Sequence, residues 1–216
     1  MNIIAISLYN ITMKILYRLI LITYLLTLLL LIINQPQWNI LISFLLLGAL
    51  PFIPSTLYRM DYLIYIYIAQ VLGTSCGFYH IPYYDKCVHF LSGCVIVIIA
   101  HQLLKPYQLP QKLNYLFLNC IEMSIAFLWE IFEYSGLIFF NYDASRHYTT
   151  GVHDTMQDMM ISLIGGLIIS FIIYKYPSYI DNLYTQQPDN QNSISQQSHI
   201  EITSHDQDDI DQLYNE

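Results

Sequence analysis

Three apolar segments of the 216-residue chain contain acidic side chains at helical spacing. In chain order, the residues that stand out are Asp85 and His89, Glu130 and Glu133, and Asp154 and Asp158. Because residues three or four positions apart share one face of a helix, each pair would project from a single face. A carboxylate inside hydrocarbon costs about 2.5 kcal/mol or more, so these faces must contact protein or water. The pattern predicts a buried acidic site.

Five carboxylates and one histidine at one place cannot all remain ionised and unpaired. Either several carboxyl groups stay protonated or a cation binds among them. Oxygen ligands with one imidazole suit a divalent ion such as Mg, Mn, Zn or Fe. We therefore predict four metal ligands, which are Asp85, His89, Asp154 and Asp158. We assign the catalytic role to Glu130 and Glu133. Protonated carboxyls, a proton path and hydrogen bonds that only hold helices together remain the alternatives.

The composition indicates a membrane protein. The chain is 55% hydrophobic and only 11% charged, whereas soluble domains carry about 25% charged residues. Repeated apolar runs of about 18 residues or more are long enough to cross a bilayer as helices. We predict an all-α, polytopic transmembrane helical bundle of about six spans, with the lipid bilayer as its surroundings. The spans cover about residues 15–33, 39–57, 62–78, 86–104, 114–139 and 155–174.

Helix alternation would bring the acidic pairs to one membrane level. The start of the fourth span, the end of the fifth and the start of the sixth share one leaflet. Six Lys and Arg residues fall on one side of this topology and only two on the other. The positive-inside rule then predicts a bacterial plasma (inner) membrane protein with both termini in the cytoplasm and a site that faces outward.

The two ends of the chain differ in character. Lys14 and Arg18 accompany the first apolar run as they would in a signal peptide, but the run is too long and no small-residue cleavage site follows. We predict a helix there, with Met13 as an alternative start to Met1. Residues 177–216 contain eight of the sixteen acids and little apolar content, which predicts a disordered tail.

Glycines and further polar residues accompany the acidic pairs. Gly93 and the pair Gly165 and Gly166 would let their helices approach closely. Glu122 lies deeper in the fifth span, and we expect it to pair with Asn119 one turn away. Basic clusters and phosphate-binding glycine loops are absent from the sequence, which argues against nucleic acid as a partner.

Three motifs in order carry a resemblance to a known family. They are Asp85-x3-His89-Phe90-x2-Gly93, Trp129-Glu130-x2-Glu133, and Asp154-x3-Asp158-Met159 with Gly165. Over about residues 60–175 this set resembles the YjdF-like bacterial inner-membrane proteins. The resemblance implies the architecture and the site rather than an activity. Ser162 stands where relatives are expected to have Asn, which would weaken one polar contact. The first motif is also similar to VanZ-like membrane proteins, associated with glycopeptide resistance, but the later motifs fit that group less well.

Three functions are compatible with these features. The first is a metal-dependent membrane enzyme, a hydrolase that acts on a lipid or envelope substrate. The second is a small proton- or cation-coupled transporter, for which a homo-oligomer would supply further spans. The third is a non-catalytic membrane scaffold whose tail recruits partners.

Overall fold

The described part of the protein is helical. The computed structural model describes residues 3–33, 38–49, 60–144, 147–178 and 180, and no strand occurs within these ranges. The α-helices there are α1 (Ile3–Ile33), α2 (Trp38–Ala49), α3 (Met60–Ile66), α4 (Tyr84–Leu104), α5 (Gln111–Phe140), α6 (His147–Thr150) and α7 (Val152–Lys175). The predicted all-α fold class is confirmed.

Four helical segments are long and apolar enough to cross a membrane. They are Ile15–Ile33 of α1, Tyr84–Tyr107, which is α4 with its following turn, Gln111–Phe140 and Val152–Lys175. These segments coincide with the first, fourth, fifth and sixth predicted spans. Large apolar side chains such as Leu19, Phe127 and Phe171 remain more than half exposed on their surfaces. Such faces suit contact with lipid, so the chain is a helical membrane protein.

The other two predicted spans are described in part. Helix α2 covers the first part of residues 39–57, and residues 50–57, with Pro51 and Pro54, lie outside the described residues. Helix α3 continues directly into a π-helix, Tyr67–Ser75, within the predicted third span. The total of six spans stays a prediction. The predicted disorder of residues 177–216 also falls almost entirely outside the described part of the chain.

Two tyrosines that follow the π-helix in the chain, Tyr79 and Tyr84, contact it. The Tyr84 hydroxyl donates to the Ile68 carbonyl of this helix at 2.7 Å. Gly73 lies against the ring of Tyr79, and a Cβ at Gly73 would come within 2.6 Å of Tyr79 Cε2. The absence of a side chain at Gly73 therefore lets the Tyr79 ring pack onto this segment.

Buried tyrosines connect the first three helices. The Tyr24 hydroxyl donates to the Phe44 carbonyl at 2.6 Å, and the Tyr62 hydroxyl donates to the Leu47 carbonyl at 2.6 Å. Each buried phenol thereby gains a partner that lipid could not provide. This cluster packs α1, α2 and α3 together beside α4.

Glycines bring α4 and α7 into backbone contact. A Cβ at Gly93 would overlap the Ser162 carbonyl of α7, and a Cβ at Gly165 would overlap the Phe90 carbonyl of α4. Gly166 lies against the Glu122 side chain of α5. The predicted close approach at these glycines is therefore present, and it places the first turns of α4 and α7 side by side.

Candidate functional site

The ammonium group of Lys86 lies at the centre of the acidic cluster. Its Nζ donates to Asp154 Oδ1 and to Asp158 Oδ1, each at 2.6 Å. Asp85 Oδ2 is 3.7 Å from the same nitrogen. The side chains of Asp154 and Asp158 are 6% and 3% exposed. A buried cation is the group that makes two adjacent buried carboxylates tolerable.

The site predicted from the sequence did not include Lys86. Lys86, His89 and Gly93 are separated by three and four positions, so they share one face of α4. That spacing, together with the cost of an unpaired lysine in a span, is the signal that would have identified it.

Asp85, His89 and Asp158 form a group with the donor types of a metal site. His89 Nε2 lies 3.6 Å from Asp85 Oδ1 and 3.8 Å from Asp158 Oδ2. One donor atom from each of the three residues lies within 4.8 Å of the others. Two carboxylate oxygens and an imidazole are a donor set for a divalent ion. Asp154, predicted as a fourth ligand, is outside this group of three, and its Oδ1 accepts a hydrogen bond from Lys86. Its role as a ligand stays a prediction.

Asp158 connects the two parts of the cluster. Its Oδ1 accepts a hydrogen bond from Lys86, whereas its Oδ2 is the oxygen nearest to His89. The lysine therefore fixes the orientation of the carboxyl group that faces the histidine. This arrangement resembles the support that hydrogen-bonded neighbours give to metal-ligating carboxylates.

Glu130, on α5, is near this cluster, because its partner Thr155 follows Asp154 in the chain. Glu130 is 5% exposed, and its side chain hydrogen-bonds with the side chain of Thr155 on α7. Its Oε2 has no hydrogen-bond partner among the described residues. A buried carboxyl oxygen without a hydrogen-bond partner lowers the stability of the folded protein. Hydrogen bonding between helices therefore does not by itself account for Glu130.

Glu133 occupies a different environment from Glu130. The Trp129 indole donates to Glu133 Oε1 at 2.8 Å, and the Trp129 ring lies 5.2 Å from the ring of Phe132. Glu133 is part of the wall of a cavity of about 370 Å³. Of the two residues predicted as catalytic, Glu133 is the one that a molecule in this cavity could touch.

The cavity adjoins the acidic cluster through Asp85. Its walls come from α2, the π-helix and the segment after it, the start of α4, the end of α5 and residues 141–144. Asp85 is on the wall and also belongs to the group with His89 and Asp158. Burial raises the pKa of the Tyr142 phenol on this wall, and the Glu133 charge adds to the shift.

Glu122 does not pair with Asn119, contrary to the sequence-based expectation. Glu122 is fully buried, and its Oε1 accepts a hydrogen bond from Ser162 Oγ at 2.7 Å. Asn119 instead donates to the Tyr115 carbonyl and accepts from Ser170 Oγ at 3.2 Å. The expectation was wrong because it considered only α5, whereas α7 supplies the partners of both residues. Ser162, the departure noted above, makes a direct contact.

The fold and this site define a helical membrane protein with a buried cluster of carboxyl groups, one lysine and one histidine. The chain belongs to the family described as "Predicted membrane protein (DUF2238)", whose model matches residues 16–178. The YjdF-like resemblance is consistent with this family. The match includes every residue of the cluster.

A relative of the chain is an uncharacterized protein of Thermotoga maritima, 27% identical over 117 residues. The alignment covers 51% of this chain and 58% of the relative, so the chain spans less than two thirds of that protein's length. No solved structure matches the chain.

Proposed function

We propose that this protein is a metal-dependent membrane enzyme, a hydrolase that acts on a lipid or another envelope component. The observation that carries the proposal is the double position of Asp85. This residue belongs to the group of donor atoms with His89 and Asp158, and it also forms part of the wall of the 370 Å³ cavity. A cation held by these three residues would be next to a molecule in the cavity.

Asp85, His89 and Asp158 are the ligands in this proposal. Three protein ligands leave coordination positions open, as in catalytic rather than structural metal sites. A bound divalent ion would supply Lewis acidity and a water molecule of lowered pKa. Lys86 and Asp154 are positioning residues, because Lys86 holds the carboxyl group of Asp158.

Glu133 is the proposed general base. It lies on the cavity wall, and the hydrogen bond from Trp129 to its Oε1 fixes the carboxyl group. A base must be within hydrogen-bond reach of the proton that it removes, and Glu133 meets that requirement for a molecule in the cavity. Glu130, which is not on the described wall, is proposed to support this region of α5 through Thr155.

The position of the cavity supports a lipid or envelope substrate. Its walls come largely from the ends of membrane helices, and α5 exposes the apolar side chains of Ile138 and Phe139 between the wall residues Gly136 and Phe140. With six spans and both termini in the cytoplasm, as proposed from the Lys and Arg distribution, the cavity faces the outer leaflet of the plasma membrane.

Metal content of the detergent-purified protein tests this proposal. Elemental analysis after equilibration with Zn, Mn or Mg at neutral pH is expected to give about one ion per chain. Asp85→Asn and Asp158→Asn should lose the ion while remaining folded. Asp61→Asn, an aspartate at the start of α3 outside the cluster, is the matched control and should retain it. Absence of metal from the wild-type protein under all three conditions would overturn the proposal.

A substitution of Glu133 tests its assignment as the general base. Glu133→Gln should keep the metal and lose hydrolysis of lipid or envelope substrates by about 100-fold or more, the usual contribution of a general base. Equal activity of this variant and the wild type would remove Glu133 from the mechanism while leaving the metal site in place.

A second candidate function, proton- or cation-coupled transport, is favoured by a series of polar pairs between α5 and α7. From the cluster towards the other end of the bundle the pairs are Glu130 with Thr155, Glu122 with Ser162, and Asn119 with Ser170. Glu122 and Glu130 each have one buried oxygen without a hydrogen-bond partner among the described residues. Buried acids in series are typical of proton relays.

Proteoliposomes loaded with a pH-sensitive dye test this alternative. Transport predicts proton flux driven by a cation gradient that Glu122→Gln abolishes and that Ser124→Ala, an exposed position on α5, does not change. The hydrolase proposal predicts no such flux, with Glu122→Gln fully active.

A further inference from the structure

Aromatic side chains form much of the wall of the cavity beside the acidic cluster. The five aromatic residues other than histidine are Tyr79, Trp129, Phe132, Phe140 and Tyr142. The Trp129 indole cannot turn away freely, because its Nε1 donates to Glu133 and its ring packs on Phe132. The faces of such rings attract cations, and aromatic cages of this composition bind substituted ammonium groups.

The charges on the same wall have one sign. The wall carries the carboxyl groups of Asp85, Glu133 and Asp143, and no lysine or arginine among the described residues lines it. His80 is the one basic residue of the described wall. Lys86 is nearby, but its ammonium group is directed to Asp154 and Asp158. The cavity therefore combines neutral rings with negative charges.

The charge balance of the neighbouring cluster also favours a positive ligand. The ammonium group of Lys86 lies 2.6 Å from Asp154 and from Asp158, and 3.7 Å from the wall residue Asp85. Glu133, also on the wall, accepts its hydrogen bond from the neutral Trp129 indole and not from a cation. Electrostatic complementarity then selects against an anionic group in the cavity and for a cationic group.

We propose that the cavity binds a substituted ammonium group, either the cationic headgroup of a lipid or a free amine of the same chemistry. The ring faces of Trp129 and its aromatic neighbours contact the alkyl substituents, and Glu133 and Asp85 supply the countercharge. This assignment rests on the proposed function in one respect, since it names the substrate class of the hydrolase. The binding step itself requires no metal.

Fluorescence of the full-length protein in a maltoside detergent tests the binding step. The chain has two tryptophans, so Trp38→Phe leaves Trp129 as the sole reporter. Choline should give a saturable change in Trp129 emission. Its uncharged isostere, 3,3-dimethyl-1-butanol, should give none at the same concentration. An equal response to both compounds would overturn the proposal, because the cavity would then recognise shape rather than charge.

Calorimetric titration of variants with choline tests whether the residues of the cavity wall form the binding site. Trp129→Leu should weaken choline binding by about tenfold, with Trp129→Phe intermediate, because the loss of the indole face removes a cation–π contact. Glu133→Gln should also weaken binding. Phe127→Leu, a ring on α5 that is 53% exposed, is the matched control and should bind normally. Unchanged binding in Trp129→Phe and Glu133→Gln would contradict the proposal even if Trp129→Leu fails to fold.

Short-chain lipids distinguish the two sources of the ammonium group, which are a lipid headgroup and a free amine. Phosphatidylcholine that binds much more tightly than choline identifies a lipid headgroup, whereas equal affinities identify a free amine. Phosphatidylglycerol of the same chain length should bind far more weakly than phosphatidylcholine. Tighter binding of phosphatidylglycerol would overturn the assignment.

Asp158→Asn distinguishes failure of this inference from failure of the proposed function. Asp158 is not on the described wall, so this variant should bind choline normally even though it loses the metal. Choline binding in a protein that takes up no metal would remove the hydrolase and leave the ammonium site. Stoichiometric metal without choline binding would remove the ammonium site and leave the hydrolase proposal in place.

Discussion

Lys86 shows how one residue decides the electrostatics of a membrane site. An exposed lysine–aspartate pair contributes little to stability, because water already solvates both charges. The pairs here are mostly buried, and the side chain of Lys86 is only 15% exposed. Removing one partner from such a cluster leaves the others as uncompensated buried charges.

We therefore predict that Lys86→Met destabilises the protein by about 3–5 kcal/mol. The measurement is unfolding of the detergent-solubilised protein followed by circular dichroism. Lys112→Met, at an exposed position near the start of α5, should stay within about 0.5 kcal/mol of the wild type.

A double variant tests the reason for this loss. Adding Asp154→Asn to Lys86→Met removes one of the two buried carboxylates that have lost their countercharge, so it should restore part of the stability. Wild-type stability in Lys86→Met itself would show that Asp154 and Asp158 do not depend on the ammonium group.

Tyr84 offers a second test at the scale of a single group. Its hydroxyl donates to the Ile68 carbonyl of the π-helix. Tyr84→Phe should lower the free energy of unfolding by about 1 kcal/mol, because a carbonyl loses its partner. Tyr83→Phe is the control, since Tyr83 is 81% exposed and should give no measurable change. Equal effects of the two substitutions would argue against a role for the hydrogen bond.

At the scale of elements, the contact between α4 and α7 positions the cluster. Lys86 and His89 lie on α4, and Asp154 and Asp158 lie on α7, so the separation of these two helices sets each distance from a residue of one pair to a residue of the other. Gly93 and Gly165 set that separation, because each faces a backbone carbonyl of the other helix.

We predict that Gly93→Ala costs about 1–3 kcal/mol or more, since its Cβ would overlap the Ser162 carbonyl and backbone cannot yield as a side chain does. Thermal unfolding in detergent measures the effect. Gly136→Ala is the matched control on α5. Its Cβ would lie 3.6 Å from the Tyr142 carbonyl, an ordinary contact, so the substitution should be neutral or slightly stabilising. A neutral Gly93→Ala would mean that α4 and α7 can separate without cost.

At the scale of the whole molecule, orientation in the membrane decides which compartment the cluster faces. The distribution of Lys and Arg predicts both termini in the cytoplasm. A green fluorescent protein fused to the C-terminus should therefore fluoresce, and alkaline phosphatase fused after Ala144 should be active. The opposite pattern in the two fusions would place the acidic cluster on the cytoplasmic side.

The sequence by itself determined the helical membrane class and the faces that carry the acids. Apolar length fixes where a helix can span a bilayer, and side chains three or four positions apart must share a helix face. Both are local properties of the chain, which is why the ranges of α4, α5 and α7 lie close to the predicted ones. The same local reasoning could not identify the π-helix, because no spacing pattern distinguishes Tyr67–Ser75 from a regular helix.

Only the tertiary structure decided which groups are partners. Lys86 pairs with Asp154 and Asp158, Glu122 pairs with Ser162 rather than Asn119, and Asp85 joins Asp158 of α7 in one group of donor atoms while it also lines the cavity. These contacts join residues that are distant in sequence, and they depend on helix separation and rotation. Glycine-to-carbonyl packing fixes the separation of α4 and α7 here. A sequence pattern specifies the face on which a charge lies, whereas the packing of two faces specifies which charge it meets.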